Sequence, residues 1–357
     1  MPRVIGIDPG TVSIDICGLD NGRLFLDQSL PTADALRDPA TFIARLKEAG
    51  QLDLIVGPSG YGLPCIFAAD LTDTDLRLAV LAAEGETGGI GGLRTLVRAL
   101  ARSGLPVMLT PGVVHLASVP AHRKVNRVDM GTADKVCAVA LAVREQAERR
   151  ACAIADTAFV LLELGGAFTA AVAVQGGRIV DGLGGSSGPL GLRAAGALDG
   201  EVAFLAGRVS KSMIFAGGFG AIAGDTDLAG SGPEVRRARE AYLEGAVKAV
   251  AWLQVAAPDA TEVILSGRMA RSIDVYEEVS RRLRRLSAVS SVEVLRGFSA
   301  SAMQAAHGAA LMADGLAGGA AAALVEHLGI REASGTVLDH LHVISPEHAR
   351  RTLGIVG

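Results

Sequence analysis

The chain has 357 residues, half of them hydrophobic and 20% charged, and its formal net charge at pH 7 is −4. This balance excludes a disordered chain and gives no support for a nucleic acid or a membrane surface as a partner. The length predicts two domains. We expect a cytoplasmic protein, because the N-terminus leads directly into a strand and the longest uncharged run, 103–121, contains three prolines.

The stretch from Val4 to Leu24 predicts a β-hairpin, since two apolar runs flank a Gly-containing turn and the second run ends at an Asn-Gly pair. The first run ends in a carboxylate, Asp8. Backbone N–H groups of the turn that follows can bind a phosphate, and the carboxylate can hold Mg²⁺ directly or through water. The candidate phosphate-binding residues of this turn are Gly10, Thr11 and Ser13.

The next segment predicts a loop over 30–40 and a helix over 39–49, and then a short buried strand over 52–56. A Gly/Pro-rich loop follows this strand. Ligands of α/β proteins bind at the carboxyl ends of parallel strands, which makes Ser59 and Tyr61 candidate substrate-binding residues. A tight turn that contacts no ligand is the alternative.

The densest polar cluster of the N-terminal half lies at 120–129 and contains Arg123, Asn126 and Arg127. Its cations would suit an anionic substrate or the phosphoryl group during transfer. A solvated surface turn is the alternative. A long Ala/Val-rich helix follows, with Thr132 as its candidate N-cap and Asp134 in its first turn, where the helix dipole favours an anion.

The hairpin pattern returns at 159–179, at a constant offset of 155 residues from the first copy. Glu163 takes the place of Asp8, and Gly165, Gly166 and Thr169 keep the chemistry of a phosphate-binding turn. One such hairpin is a common pattern, but two in register predict two similar domains that face one another.

The C-terminal half predicts a strand over 212–220 that runs into Gly217 and Gly218, and a strand-like segment over 335–343. Between them, 261–272 predicts a strand, then Ser266-Gly267-Arg268, then a helix. A glycine at such a junction lets the backbone approach a nucleotide. The small residues of 304–319 predict a helix that packs closely on another helix near the hinge between the domains.

The paired hairpins, the Ser266-Gly267-Arg268 junction and the two small-residue helices resemble the actin-like ATPase and sugar/acetate kinase superfamily over most of the chain. The closest likeness is to an uncharacterised, mostly archaeal group described as predicted butyrate kinases. The resemblance implies an α/β fold of two ribonuclease-H-like domains with a nucleotide cleft between them. It places the N-terminal domain at 1–150 and the C-terminal domain at 151–357, with the tail from about residue 308 returning toward the N-terminal domain.

The resemblance also implies ATP-dependent transfer of the γ-phosphoryl group to a small molecule, with ATP and Mg²⁺ as cofactors and a short carboxylate as the acceptor. Asp8, Asp134 and Arg123 are then the catalytic candidates, and Asp8 and Glu163 the residues toward Mg²⁺. The nucleotide candidates are Gly10, Thr11, Ser13, Gly165, Gly166, Thr169, Gly217, Gly218, Ser266, Gly267 and Arg268. Ser59, Tyr61, Asn126 and Arg127 are the substrate candidates.

The acceptor stays open at this point. Asp134 resembles the general base in the Gly-Ala-Asp-Arg segment of type III pantothenate kinases, which favours a hydroxyl acceptor, although Thr132 and Lys135 replace the flanking Gly and Arg. Arg123 and Arg127 favour a carboxylate, which needs no base. The same architecture also serves ATPases that act on partner proteins, including dehydratase activators with a cysteine pair, and relatives that have lost turnover. The four cysteines here have no clustered spacing. A homodimer is compatible with the resemblance.

Overall fold

A computed structural model describes residues 2–57, 59–82 and 89–355, with only the backbone of 89–91. Within these residues the N-terminal sheet has six strands in the order β3-β2-β1-β4-β6-β5. β1 is parallel to β4, and β4 to β6, whereas the hairpin partners are antiparallel. The strands are β1 (Arg3–Pro9), β2 (Ser13–Asp20), β3 (Arg23–Pro31), β4 (Leu54–Val56), β5 (Ile66–Phe67) and β6 (Val107–Leu109).

The C-terminal sheet has five strands within the described residues, in the order β11-β10-β7-β8-β9. β10 lies parallel to both β7 and β11. Both sheets therefore begin with three antiparallel strands. In each sheet a parallel strand then pairs with the free edge of the first of these strands. The strands are β7 (Phe159–Leu164), β8 (Thr169–Gln175), β9 (Arg178–Leu183), β10 (Glu262–Ser266) and β11 (Ser291–Val294).

The internal repeat at an offset of 155 residues is confirmed at the level of register. Asp8 pairs with Asp15 in the first hairpin, and Glu163 pairs with Ala170 in the second. The register shift between Gly18 and Leu19 recurs between 173 and 174. The tight turns that close β2–β3 and β8–β9 both use two residues at positive φ, where glycine and asparagine are best tolerated.

Helices cover both sheets. The N-terminal ones are α1 (Thr32–Arg37), α2 (Pro39–Glu48), α3 (Asp73–Val80), α4 (Gly89–Ala101), α5 (Ala121–Lys124) and α6 (Ala133–Arg150). The C-terminal ones are α7 (Gly200–Ala206), α8 (Lys211–Ile214), α9 (Phe219–Ala223), α10 (Pro233–Gln254), α11 (Ile273–Leu283), α12 (Gln304–Leu316), α13 (Ala322–His327) and α14 (Pro346–Thr352).

In the described part of the chain, no helix combines the length and the apolar surface that a bilayer crossing needs.

Two helices connect the halves of the molecule. α12 packs on β1, β2 and β4 of the N-terminal sheet and against α6. The contact is close, because a Cβ built on Gly308 would lie 1.8 Å from the carbonyl oxygen of Cys137, and one on Gly6 would lie 2.1 Å from the Ala310 nitrogen. This confirms the predicted close packing of the small residues in α12. The boundary near residue 150 stays a prediction.

Apolar side chains of β7 alternate between two cores, as the two-residue period of a strand requires. Phe159 and Leu161 pack into the larger core with the N-terminal sheet, α6 and α12. Val160 and Leu162 pack into the second core under α10 and α11. The C-terminal sheet is thus covered on both faces.

Three secondary-structure predictions are wrong. The predicted loop over 30–40 contains the end of β3 and all of α1. The predicted strand over 212–220 forms α8 and the start of α9, and the segment over 335–343 forms only turns. Short apolar runs fit a strand and a helical turn equally well, and here Gly217, at φ 81°, separates two helical turns.

Candidate active site

A cleft of about 510 Å³ lies between the two sheets, where the turns of the two hairpins meet. The β1–β2 turn, the β7–β8 turn, the first turn of α6 and the end of β10 form its walls. Ligands of parallel α/β sheets bind at the carboxyl ends of strands, and β1, β7 and β10 all end here. Small-molecule sites commonly enclose about 300–1,000 Å³, so the cleft has room for a nucleotide.

The two hairpin turns face each other across this cleft. A Cβ built on Gly166 would lie 3.3 Å from Val12 Cγ2 and 3.9 Å from the Thr11 hydroxyl oxygen. The turns are also built alike: a Cβ on Gly10 would lie 2.7 Å from the carbonyl oxygen of Ser13, and one on Gly165 lies at the same distance from that of Phe168. Glycine at 10 and 165 therefore permits two matched, tight turns with exposed backbone.

Three charged side chains meet beside these turns. Lys135, in the first turn of α6, donates from Nζ to Asp134 Oδ2 at 2.5 Å and to Glu163 Oε1 at 2.6 Å. The lysine side chain is only 12% exposed. Burial disfavours its ammonium, but the two carboxylates outweigh this effect, so the pKa of Lys135 is raised. The ammonium thereby links α6 to the second hairpin.

The carboxylate of Asp134 is held in its charged form. Burial acts to raise its pKa, but the Lys135 ammonium and the Thr132 hydroxyl, which donates to Asp134 Oδ1, lower it to below the usual range. Thr132 occupies the predicted N-cap position of α6. Its side chain does not cap the helix, because the hydroxyl is directed to Asp134.

The pKa of Asp8 is shifted in the opposite direction to that of Asp134. Its pKa is raised well above the usual value, first by burial and then by the negative charge of Asp134. Asp15 lies opposite Asp8 on β2, and burial also raises the pKa of Asp15. Ser13 donates to Asp15 Oδ2 at 2.8 Å, and within the described residues Asp15 Oδ1 has no hydrogen-bond partner. The cleft thus concentrates acid groups around the first turn.

The junction after β10 reaches across to the first hairpin. Gly267 has φ 87°, and a Cβ there would lie 2.5 Å from the carbonyl oxygen of Leu164, so the chain can pass this point only with a glycine. Arg268 Nη2 then donates to the Ser13 hydroxyl at 3.3 Å. Arg268 therefore joins the C-terminal half to the β1–β2 turn.

One end of the cleft is apolar. Leu36, Ala79, Val80 and Leu93 line it beside the loop that carries Ser59 and Tyr61. The Ser59 hydroxyl donates to the carbonyl oxygen of Gly57 at 3.1 Å and accepts from the Thr110 N–H at 2.9 Å, so this hydroxyl stabilises the loop. Burial raises the pKa of Tyr61, whose phenol therefore stays neutral. This end could take an alkyl group.

The structure brings most of the predicted site together, since thirteen of its residues line the cleft. They are Asp8, Gly10, Thr11, Ser13, Ser59, Tyr61, Asp134, Glu163, Gly165, Gly166, Ser266, Gly267 and Arg268. Six predicted residues do not line the cleft.

The basic cluster of α5 and the residues after it supports the fold. Arg123 donates to the carbonyl oxygen of Val180 at 2.8 Å, and Arg127 to that of Gly182 at 3.2 Å, so both guanidinium groups hold β9. Asn126 accepts from the backbone N–H groups of residues 342 and 343 and so holds the C-terminal tail. None of the three lines the cleft.

The other three predicted residues outside the cleft lie in closely packed parts of the C-terminal half. Gly218 lies against the loop before α7, where a Cβ would be 2.4 Å from the carbonyl carbon of Arg193, and the adjacent Gly217 lies beside Ala195. Thr169 is fully buried at the start of β8. Here the glycines serve close approach of two protein segments, which sequence alone cannot distinguish from approach to a ligand.

Sequence reasoning missed four charged residues that line the cleft: Lys135, Asp15, Asp129 and Arg193. A signal existed for Asp15, because a hairpin that turns at residues 10–13 pairs position 15 of β2 with Asp8. In the sequence, Lys135 is distinctive only because it replaces the arginine of the Gly-Ala-Asp-Arg segment. Its partner Glu163 is 28 residues away, and nothing local to Lys135 indicates that contact.

The donor set fits Mg²⁺ held together with phosphates. Within the described residues, no group of three or more His, Cys, Asp or Glu side chains could hold a metal by itself. Mg²⁺ in phosphoryl-transfer sites commonly takes one or two carboxylates and completes its shell with phosphate oxygens and water. Asp8 and Glu163 are the carboxylates beside the two Gly turns, and the turns offer backbone N–H groups to phosphates.

Comparison with known proteins shows the family and the fold. The family described as "Protein of unknown function (DUF1464)" matches residues 6–343. No curated protein matches the chain. Among solved structures, propionate kinase from Francisella tularensis subsp. tularensis has a TM-score of 0.61 at 12% identity, covering 87% of this chain and 98% of that one.

Two acetate kinases are similar to a comparable degree. The enzyme from Entamoeba histolytica has a TM-score of 0.59 at 9% identity, covering 82% of this chain and 96% of that one. The enzyme from Porphyromonas gingivalis has a TM-score of 0.57 at 13% identity, covering 87% and 98%. At these identities the likeness establishes the fold, so the predicted two-domain actin-like ATPase architecture is confirmed.

Proposed function

The chain belongs to the DUF1464 family of proteins of unknown function, and we propose that it is an ATP-dependent kinase that phosphorylates a short-chain carboxylate, as in the predicted butyrate kinases it resembles. The observation that carries this proposal is the pair of matched hairpin turns facing each other beside buried carboxylates. Phosphoryl transfer requires positioning and neutralisation of charge more than covalent chemistry from the protein.

The cleft residues have distinct roles in this proposal. The backbone N–H groups of the turns around Gly10 and Gly165 bind the phosphates, and the backbone around Gly267 approaches the nucleoside. Asp8 and Glu163 face Mg²⁺, which when bound would neutralise and orient the phosphates. The bond between the γ-phosphorus and the bridging oxygen breaks, ADP leaves with the electron pair, and an acceptor oxygen forms the new bond.

Two features favour a carboxylate acceptor. A carboxylate is ionised at neutral pH and needs no base, and Asp134 is a poor base because Lys135 and Thr132 keep its pKa low. The apolar end formed by Leu36, Ala79 and Leu93 suits a short alkyl chain. Arg123 and Arg127 no longer support this choice, since they bind β9. The names of the acetate and propionate kinases with this fold agree with a short acid as substrate.

Two alternatives make different predictions. A kinase of a hydroxyl-bearing metabolite would need Asp134 as a base. An ATPase that acts on a partner protein would hydrolyse ATP without a small acceptor and would be stimulated by that protein. Assembly as a homodimer stays a prediction.

The first test is calorimetry of MgATP binding to the wild-type protein and to Asp8→Ala. We expect wild-type affinity between about 1 μM and 1 mM, the usual range for metabolic enzymes, and weaker binding in the variant. ADP release is then measured with a series of short-chain acids and matched alcohols. A folded wild-type protein that binds no MgATP would overturn the kinase proposal, and turnover only with alcohols would overturn the choice of acceptor.

A second test uses Asp134→Asn, which keeps the shape of the side chain but removes its basicity. With a carboxylate acceptor we expect kcat to stay within about tenfold of wild type, since general-base catalysis contributes about 10²–10⁴-fold where it operates. The measurement is kcat for the best acid and the best alcohol, from pH 5 to 9. A loss of 10²-fold or more, restricted to one acceptor class, would identify Asp134 as the base for that class.

A further inference from the structure

Lys135 is paired with Glu163, a residue that lines the cleft. Its ammonium lies 2.6 Å from Glu163 Oε1 and 2.5 Å from Asp134 Oδ2. Glu163 is the counterpart of Asp8 in the second hairpin, and the proposed function directs it toward Mg²⁺. A lysine ammonium and a divalent cation repel each other, so Mg²⁺ at Glu163 would weaken the ion pair between Glu163 and Lys135. Binding of MgATP would therefore favour movement of the ammonium away from Glu163.

The charges of the cleft support such a change. Five acids line the cleft, namely Asp8, Asp15, Asp129, Asp134 and Glu163, and three cations line it with them, Lys135, Arg193 and Arg268. Without Lys135, the two acids that it contacts would be buried without a counter-ion, which is costly. A bound divalent cation supplies two positive charges to the same carboxylates, and the lysine is then free to neutralise another group. The nearest new anion would be the triphosphate held by the two turns.

We propose that Lys135 is an exchangeable counter-ion of the cleft. Its ammonium neutralises Asp134 and Glu163 in the nucleotide-free protein, yields Glu163 to Mg²⁺ when MgATP binds, and then donates to the γ-phosphate while it is transferred. This inference rests on the proposed function. It assigns Lys135 a contact with the reacting group, and it explains why a buried lysine lies between the two phosphate-binding turns.

The side-chain chemistry of lysine suits this exchange. Lysine carries a compact charge on a flexible four-carbon stem, whereas arginine presents a rigid planar fork that holds two acceptors at once. The stem of Lys135 begins in the first turn of α6, and α6 is anchored at its other end by the ion pairs of Arg149 and Arg150 with the buried Glu262. The backbone at Lys135 can therefore stay in place while the ammonium moves.

The decisive experiment compares two ligands in Lys135→Met. Calorimetry with Mn²⁺ alone is expected to show at least tenfold tighter metal binding than in wild type, because Asp134 and Glu163 lose their competing cation. In the same protein, MgATP affinity is expected to fall at least tenfold while MgADP affinity stays within about threefold, since a hydrogen bond to a charged group contributes about 1.5–3 kcal/mol. Lys248→Met is the control, because Lys248 is exposed and pairs with Glu244 on the same helix.

Opposite changes in metal affinity and ATP affinity would not arise from general destabilisation. Unchanged or weaker Mn²⁺ binding in Lys135→Met, or equal losses for ATP and ADP, would overturn the role of Lys135. Absence of MgATP binding in wild type would overturn the proposed function instead, and tighter Mn²⁺ binding in the variant would still show that the lysine competes for the carboxylates. If Lys135→Met fails to fold, Lys135→Arg keeps the charge: we expect MgATP affinity to fall without tighter Mn²⁺ binding, and wild-type values for both ligands would contradict the proposal.

Discussion

Asp8→Asn is expected to lower kcat by about 10³-fold, the largest loss for any single isosteric change in the cleft. The carboxylate faces the phosphate-binding turn from the end of β1, and a metal held there contributes several kcal/mol of transition-state stabilisation. Steady-state ADP release at saturating acceptor measures the effect. Asp181→Asn is the matched control, because Asp181 lies on β9 near Arg123 and Arg127, outside the cleft lining. Activity near wild type in Asp8→Asn would remove Asp8 from the mechanism.

The same substitution is expected to stabilise the ligand-free protein, by about 0.5–2 kcal/mol near pH 7.5. Burial and the charge of Asp134 raise the pKa of Asp8, so the folded state holds this proton more tightly than the unfolded chain does. Wild type therefore loses stability as the pH rises from the unfolded pKa through the folded one, and the asparagine variant does not. The stability difference should shrink as the pH falls toward 4.

Urea unfolding of both proteins between pH 4 and 8 measures this difference. The order should reverse in MgATP at a concentration that saturates only wild type, because the variant binds MgATP more weakly and its folded state gains less stability. A variant that is less stable than wild type at every pH would show that Asp8 is a structural residue and would contradict both expectations.

The sequence predicts the parts of this site that depend on local geometry. The two hairpins can be recognised in the sequence, 155 residues apart, because each is a continuous segment. The conformation of each turn restricts which residues can occupy it. The same holds for Gly267, which must pass close to the end of β7. These positions line the cleft as expected.

Residues whose role depends on a distant partner were not predictable. Arg123 and Arg127 form a basic cluster in the sequence, but their direction is set by the free carbonyl groups of β9, more than 50 residues away. Lys135 follows Asp134 in an unremarkable helix start, and only the folded chain brings Glu163 to it. Charge density along a sequence indicates neither which face a side chain occupies nor which groups compete for it.

The close contact of α6 and α12 connects this site to the stability of the fold. α6 carries Asp134 and Lys135 in its first turn, and its second turn passes so near α12 that the position facing Cys137 has no room for a side chain. Any increase in this distance moves the first turn of α6 relative to the two hairpins. A displacement of about 1 Å at a phosphoryl-transfer site can cost about 10²-fold in rate.

Gly308→Ala is therefore expected to lower the free energy of unfolding by about 3 kcal/mol, the upper end of the usual range for overpacking. An exposed Gly→Ala change in a helix normally stabilises it by about 1 kcal/mol, but here the new Cβ would lie 1.8 Å from the carbonyl oxygen of Cys137, so steric repulsion dominates. Urea unfolding measures the change. Gly200→Ala in α7 is the control, because a Cβ there meets no atom within 4 Å. Equal stability of the two variants would show that α6 and α12 can separate without cost.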